Sequence, residues 1–140
     1  MKKLTDLNHY RVLFNETNNF IRYLGAELTM LEEGYAQVEM VTREEHRNMN
    51  DSVHGGVLMA LADTAAGAAS KTYGYASVTL EGKMNFLRPV PINGKPVRVT
   101  AKAVHAGRRT GVYECNIYDS DNQLAAMAVY TMFMMEEPLF

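Results

Sequence analysis

The chain has 140 residues, 47% of them hydrophobic and 21% charged, and a formal charge of −2. That length fits one domain, residues 1–140, and leaves little room for a second. The near-neutral balance excludes global attraction to nucleic acid or an anionic membrane, and no apolar run has the length of a membrane span.

The opening residues, Met1-Lys2-Lys3-Leu4-Thr5-Asp6, turn polar at once and hold no signal-peptide core, which makes the cytoplasm the expected address. Leu4, Leu7, Tyr10 and Phe14 then recur at near-helical spacing, with Thr5 or Asp6 as cap, so residues 1–18 are predicted to hold a short amphipathic helix. Asn15 to Asn19 break it. Ile21 to Leu31 reads as a strand interrupted by Gly25. Ala36, Val38 and Met40 alternate with Gln37 and Glu39, the pattern of a half-buried strand. Residues 43–54 are a polar loop.

Gly55-Gly56 opens the next element. From Val57 to about Thr72 no residue but Gly67 breaks a helix, and the composition is Ala, Leu, Met and Val. A helix over 55–73 that is apolar on nearly every side is a buried central helix. The remaining chain reads as strands. Val78, Leu80, Met84 and Phe86 alternate with polar residues up to Pro89 and Pro91. Val97, Val99, Ala101 and Ala103 mark the next strand, and Tyr113, Cys115 and Ile117 another. Asp119 to Asn122 is a turn, and Leu124 to Met135 is an apolar run expected to be buried on both faces. Five or six antiparallel strands around one long central helix make an α+β domain, and so apolar a helix predicts two-fold association.

Asp63 stands out chemically. It lies within Val57-Leu58-Met59-Ala60-Leu61-Ala62-Asp63-Thr64-Ala65-Ala66, where every neighbour is apolar or small. A carboxylate in such a setting is either a structural cap or a working group, since burying one without a partner is expensive. His54-Gly55-Gly56 precedes the same helix. Its first-turn N–H groups are unpaired and partly positive, suited to a phosphate or an oxyanion, or simply to a flexible helix start. Nine helical residues from His54 to Asp63 turn through roughly 900° and rise about 13.5 Å. The two side chains therefore cannot meet within one subunit, and a site that uses both is shared between subunits. Cys115, the single cysteine, alternates with Tyr113 and Ile117 as a small buried hydrophobe; it excludes an internal disulfide and favours a reducing compartment. His9, His46, His54 and His105 are scattered without metal-ligand spacing.

The stretch from Asn48 to Ala69, with His54-Gly55-Gly56 and Leu61-Ala62-Asp63-Thr64-Ala65, resembles the PaaI-type hotdog-fold acyl-CoA thioesterases. Thr79-Leu80-Glu81-Gly82-Lys83-Met84-Asn85-Phe86-Leu87-Arg88-Pro89 and Val104-His105-Ala106-Gly107-Arg108-Arg109 extend the resemblance over residues 20–135. It implies a curved antiparallel sheet wrapped around the central helix, homodimers with shared active sites that pair into homotetramers, and acyl-CoA hydrolysis without a cofactor. It implies that Gly55 offers its N–H to the thioester oxygen, assisted by Gly56 in binding. Asp63 of the other subunit then orients or deprotonates water, or attacks directly. Asn48, or Asn50 close by, supplies a side-chain amide, His54 supports the loop, and Thr79 places a hydroxyl beside the water. Asp51 stands where the family often has glycine. Strict alternation instead puts Thr79 with Glu81 and Lys83 on a solvated face, unless a bulge near Gly82 intervenes. Arg108 and Arg109 are either an exposed turn or contacts to coenzyme A phosphates. Met59, Met84, Met127, Met132, Met134 and Met135 read as interior packing, part of which suits an adaptable acyl pocket. The alternatives are a dehydratase or hydratase on the same fold, using His54 with a carboxylate, and a non-catalytic acyl-CoA-binding module.

Overall fold

The computed structural model describes residues 6–139. In chain order it contains α1 (Leu7–Thr17), α2 (Asn19–Leu24), β1 (Ala26–Glu32), β2 (Tyr35–Val41), a 3-10 turn (Glu44–His46), α3 (Gly55–Lys71), β3 (Tyr75–Phe86), β4 (Pro96–Ala106), β5 (Thr110–Tyr118) and β6 (Leu124–Pro138). The strands form one antiparallel sheet in the order β1-β2-β4-β5-β6-β3. The sheet wraps α3, as the sequence predicts. Among the described residues no helix is long and apolar enough to cross a membrane.

The N-terminal region departs from expectation. Leu4 and Thr5 lie outside the described residues. Asp6 caps α1 by accepting from the His9 N–H at 2.9 Å. The predicted strand over 21–24 is helical instead. Asn18 ends α1 and caps α2 with its side chain at the Ile21 N–H, 3.3 Å away, and Gly25 closes α2 at φ 73°. Asn15 does not break α1. Its side-chain amide both donates to the Leu28 carbonyl (2.9 Å) and accepts from the Leu28 N–H (2.8 Å), so α1 covers the outer edge of β1.

The core lies between α3 and the inner face of the sheet. Leu58, Leu61, Ala62, Ala65, Ala66 and Ala69 are buried against Val38, Val99, Cys115 and Met132. The small residues let the helix approach the sheet closely. The helix ends at Lys71, with Thr72 as its cap, rather than at residue 73.

Two strand readings need correction. β6 is not buried on both faces: Ala128, Tyr130, Met132 and Met134 point inward, while Met127, Val129 and Phe133 are exposed on the face that α3 does not cover. Met127 is therefore not interior. In β3, Val78 and Leu80 are exposed rather than inward. The cause is a bulge: Thr79 faces Met132 and Glu81 faces Thr131, which leaves Leu80 as an extra residue. Before the bulge the odd-numbered Ser77 and Thr79 share register with buried Met134 and Met132. After it the even-numbered Gly82, Met84 and Phe86 stand opposite Tyr130, Ala128 and Ala126. β3 is also the end strand of the sheet, and its outer edge is unpaired among the described residues.

Candidate active site

Asp63 lies on the one stripe of α3 that the sheet leaves half exposed, with Met59, Ala60 and Thr64. It is not sealed in the core. The bulge puts Thr79 on the helix side of β3, where it stays exposed, and its hydroxyl donates to Asp63 Oδ1 at 2.5 Å. One carboxylate oxygen is thus held by a fixed donor, and the other is left for a further partner. Beneath the pair, Gly82 has no Cβ, which would lie 2.3 Å from the Tyr130 ring. That gap lets Tyr130 pass under β3 and donate to the Met59 carbonyl at 3.0 Å. Burial, with the Asp63 charge adding to it, pushes the Tyr130 phenol up to about 12, so it remains a donor at neutral pH. Thr79→Val keeps the shape and removes this donor to Asp63. It is expected to lower kcat about tenfold with little change in KM, as the net worth of one hydrogen bond to a charged group implies.

The start of α3 forms a second cluster. His54 caps the helix, its Nδ1 accepting from the Gly56 N–H at 2.8 Å. The Gly56 donor is therefore already occupied. Gly55, the first helical residue, has no intrahelical acceptor for its N–H, and none appears among the described residues. The neutral His54 ring that accepts at Nδ1 carries its proton at Nε2. The preceding loop is pinned by buried His46. Its Nε2 bonds the Leu24 carbonyl at 2.8 Å, its Nδ1 accepts from the Arg43 N–H at 3.1 Å, and its carbonyl takes the His54 N–H at 2.8 Å. Sequence reasoning assigned His46 no role, because its contacts lie with a carbonyl 22 residues earlier. Asn48 accepts from the Asn50 and Ser52 N–H groups at 2.8 and 3.1 Å and donates to the Ser52 hydroxyl at 3.0 Å. Asp51 takes the left-handed conformation itself (φ 59°) and pairs with Arg47 at 3.2 Å.

Asn48 and Gly55 line one groove of about 300 Å³ with Leu58, Phe86 and Arg88. Asn50 is exposed and does not line it. Asp63 does not line it either. Eight residues of unbroken helix, about 12 Å of rise, separate Gly55 from Asp63 in one chain. Arg108 and Arg109 form a third cluster, exposed on the β4–β5 turn, where they border an open cavity of about 1130 Å³ with Tyr75, Phe133, Glu136 and Glu137. Among the described residues no three His, Cys, Asp or Glu side chains are grouped as metal ligands.

Cys115 is buried, with its sulfur 3.7 Å from the Ala62 carbonyl. Burial first, then the charges of Asp63 and Glu114, push its thiol up to about 12. At pH 8 the folded protein is therefore expected to leave Cys115 unreacted with a thiol-specific disulfide reagent, with full reaction only on denaturation. Prompt reaction of the native chain would mean an accessible thiolate.

A family pattern described as Thioesterase superfamily matches residues 50–126, more than half of the chain, and one described as a domain of unknown function matches residues 9–85. The acyl-coenzyme A thioesterase PaaI of Escherichia coli K12 is 34% identical over 112 residues, 80% of this chain and 79% of that protein. The solved structure of the E. coli PaaI protein, from the phenylacetic acid degradation operon, superposes with a TM-score of 0.89 at 29% identity, covering 96% of this chain and 98% of that one. A Streptococcus mutans UA159 protein solved bound to acetyl CoA superposes with a TM-score of 0.76 at 26% identity, covering 81% of this chain and 90% of that one.

Proposed function

Because this chain belongs to the thioesterase superfamily, and within it to the PaaI-type hotdog enzymes, we propose that it hydrolyses acyl-CoA thioesters at a site built by two copies of itself. The observation that carries this reading is the separation of parts along α3. A free helix-start N–H at Gly55 and a held carboxylate at Asp63 lie on one rod, too far apart to act together within a chain. The open edge of β3 supports the second copy. It runs the length of a 12-residue strand, carries exposed Val78 and Leu80, and stands beside the Asp63–Thr79 pair. An unpaired strand edge is a ready template for a strand of another copy.

In the proposed mechanism the Gly55 N–H of one protomer bonds the thioester carbonyl oxygen and stabilises the negative charge that develops there. Asp63 of its partner takes a proton from water as the water oxygen bonds the carbonyl carbon. The tetrahedral intermediate collapses, the C–S bond breaks, and the coenzyme A thiolate leaves with the electron pair and takes up the proton that Asp63 removed from water, which restores the carboxylate. Thr79 fixes the carboxylate so that its second oxygen faces the water. Asn48 shapes the groove at the carbonyl end and His54 holds the loop. These groups are all protein side chains and backbone, so the chemistry draws on no cofactor.

The test is release of free thiol from a panel of aromatic, short-chain and medium-chain acyl-CoA esters. Turnover on at least one class is expected. Saturable binding with no thiol released would make the protein an acyl-CoA binder. Release of water, or its addition to an enoyl thioester, would make it a hydratase.

Arg108 and Arg109 are proposed to meet the coenzyme A phosphates. Among the described residues neither makes an ion pair, and their cavity opens at the end of the sheet. Arg108→Ala and Arg109→Ala are expected to raise KM for CoA esters by about tenfold, as loss of a charge-assisted hydrogen bond implies, and to leave short pantetheine thioesters nearly unchanged. An equal effect on both substrates would place the arginines away from the nucleotide.

A further inference from the structure

The cavity of about 1130 Å³ at the end of the sheet carries more than phosphates call for. Arg108 and Arg109 line it, and so do Glu136 and Glu137. The Arg109 carbonyl accepts from the Met134 N–H at 2.7 Å, which anchors the arginine turn beside this stretch of β6. Among the described residues no ion pair joins the arginines to the glutamates, so neither pair serves to neutralise the other. A cavity that met only phosphates would be weakened by two carboxylates, which repel them. Alternation along β6 sorts the parts. Met132 and Met134 are buried toward the helix, which sets Phe133, Met135 and Glu137 in a row on the opposite face. All three line the cavity. The row offers an exposed aromatic ring, a thioether side chain and then a carboxylate. An aromatic ring stacks on a flat base, and a carboxylate only accepts hydrogen bonds. Arginines and row together suit a ligand with phosphates, a flat ring and an N–H donor on that ring.

Distance adds a second argument. Tyr75 lines the same cavity and lies four residues before Thr79 on β3, about 13 Å along the strand. Thr79 in turn holds Asp63. Between Tyr75 and Thr79, Ala76 is half-exposed and Val78 exposed, so an open surface leads from one to the other. The arm of coenzyme A runs about thirteen bonds from its sulfur to the first phosphorus, about 15 Å when extended at about 1.2 Å per bond. A thioester at Asp63 therefore delivers its diphosphate to the arginines and its base to the row beside them. Resting on the thioesterase reading above, we propose that this cavity reads the adenine of coenzyme A, with Phe133 and Met135 against the ring and Glu137 accepting from its exocyclic amino group. Adenine carries that donor at N6, whereas a 6-oxo purine presents an acceptor there. A carboxylate facing an acceptor is repelled, so the acid selects the amino base.

The experiment measures thiol release from one acyl group carried on coenzyme A, on its analogue with hypoxanthine in place of adenine, and on pantetheine. The wild type is expected to show a KM about tenfold higher for the hypoxanthine analogue with kcat unchanged, as loss of a hydrogen bond to a charged group implies. Glu137→Gln should use both nucleotides equally, because an amide can turn either its oxygen or its NH₂ toward the base. Phe133→Ala should raise KM for both nucleotides by about tenfold, as loss of a stacked base implies. The pantetheine ester ends short of the cavity, so its turnover checks that each variant folds. Should Phe133→Ala fail that check, Phe133→Leu, which keeps the bulk and loses the flat face, takes its place. Equal KM for the two nucleotides in the wild type, discrimination retained in Glu137→Gln, or no effect of removing the ring would overturn the assignment while leaving the thioesterase reading intact. Thiol release from none of the three, nor from any ester of the wider panel, would remove both.

Discussion

Asp63→Asn is expected to reduce kcat on acyl-CoA esters by about 10²- to 10⁴-fold, the usual share of a positioned base, with KM little changed. The substitution is nearly isosteric. The Thr79 hydroxyl, 2.5 Å from Oδ1 in the wild type, still finds an acceptor in the amide oxygen. What disappears is the ability to take a proton from water at the second oxygen. Loss of the charge weakens one hydrogen bond by about 1 kcal/mol, a shift of a few degrees in Tm. Thiol-release kinetics together with a thermal melt separate the two effects. A variant that turns over at near wild-type rate would show that the base lies elsewhere.

The second large effect is expected at Gly55. Gly55→Pro removes a single group, the backbone N–H, at a position where proline suits a helix. Proline is favoured at the first helical residue, and the residue before it must be extended, as His54 is at φ −56°, ψ 135°. The new Cβ meets Phe86, an exposed side chain whose nearest atoms lie 3.2 Å from it. Loss of one oxyanion donor lowers kcat by about 10²- to 10³-fold. Gly55→Ala makes the same Cβ contact and keeps the N–H, so it is expected to retain most of the activity. Mixing the Gly55→Pro and Asp63→Asn proteins tests the shared site. After subunit exchange about half the dimers are mixed, and each mixed dimer holds one site with both groups intact. Recovery of about a quarter of wild-type activity follows by mass action if two copies build each site. No recovery despite proven exchange would place both groups in one chain's site.

Much of the architecture was legible because burial follows period. Ala36, Val38 and Met40, and Tyr113, Cys115 and Ile117, alternate in sequence and are buried in fact. The central helix announced itself by composition. The failures share a different cause, in that a single event reset the local rule. Asn18 ends one helix and starts another, so residues 19–24 stay helical where apolar content alone suggested a strand. The extra residue at Leu80 reverses which side chains of β3 face the helix. The unbroken apolar run of β6 shows that the strand avoids water but not what covers its second face. At the site, spacing alone separated His54 from Asp63, whereas the resemblance supplied the parts for Gly55, Asn48 and Thr79. Reading α3 as buried on nearly every side missed its half-open stripe.

The extra residue in β3 has an evolutionary corollary. A sibling gene that lost Leu80 would retain every hydroxyl and every carboxylate in its translated text. The strand upstream would also keep its faces, because Thr79 would still stand opposite Met132 and Glu81 opposite Thr131 in a ladder that had lost only its bulge. In this lineage a lost codon at that point would leave the site assembled, and matching columns by letter would mistake the gap for damage.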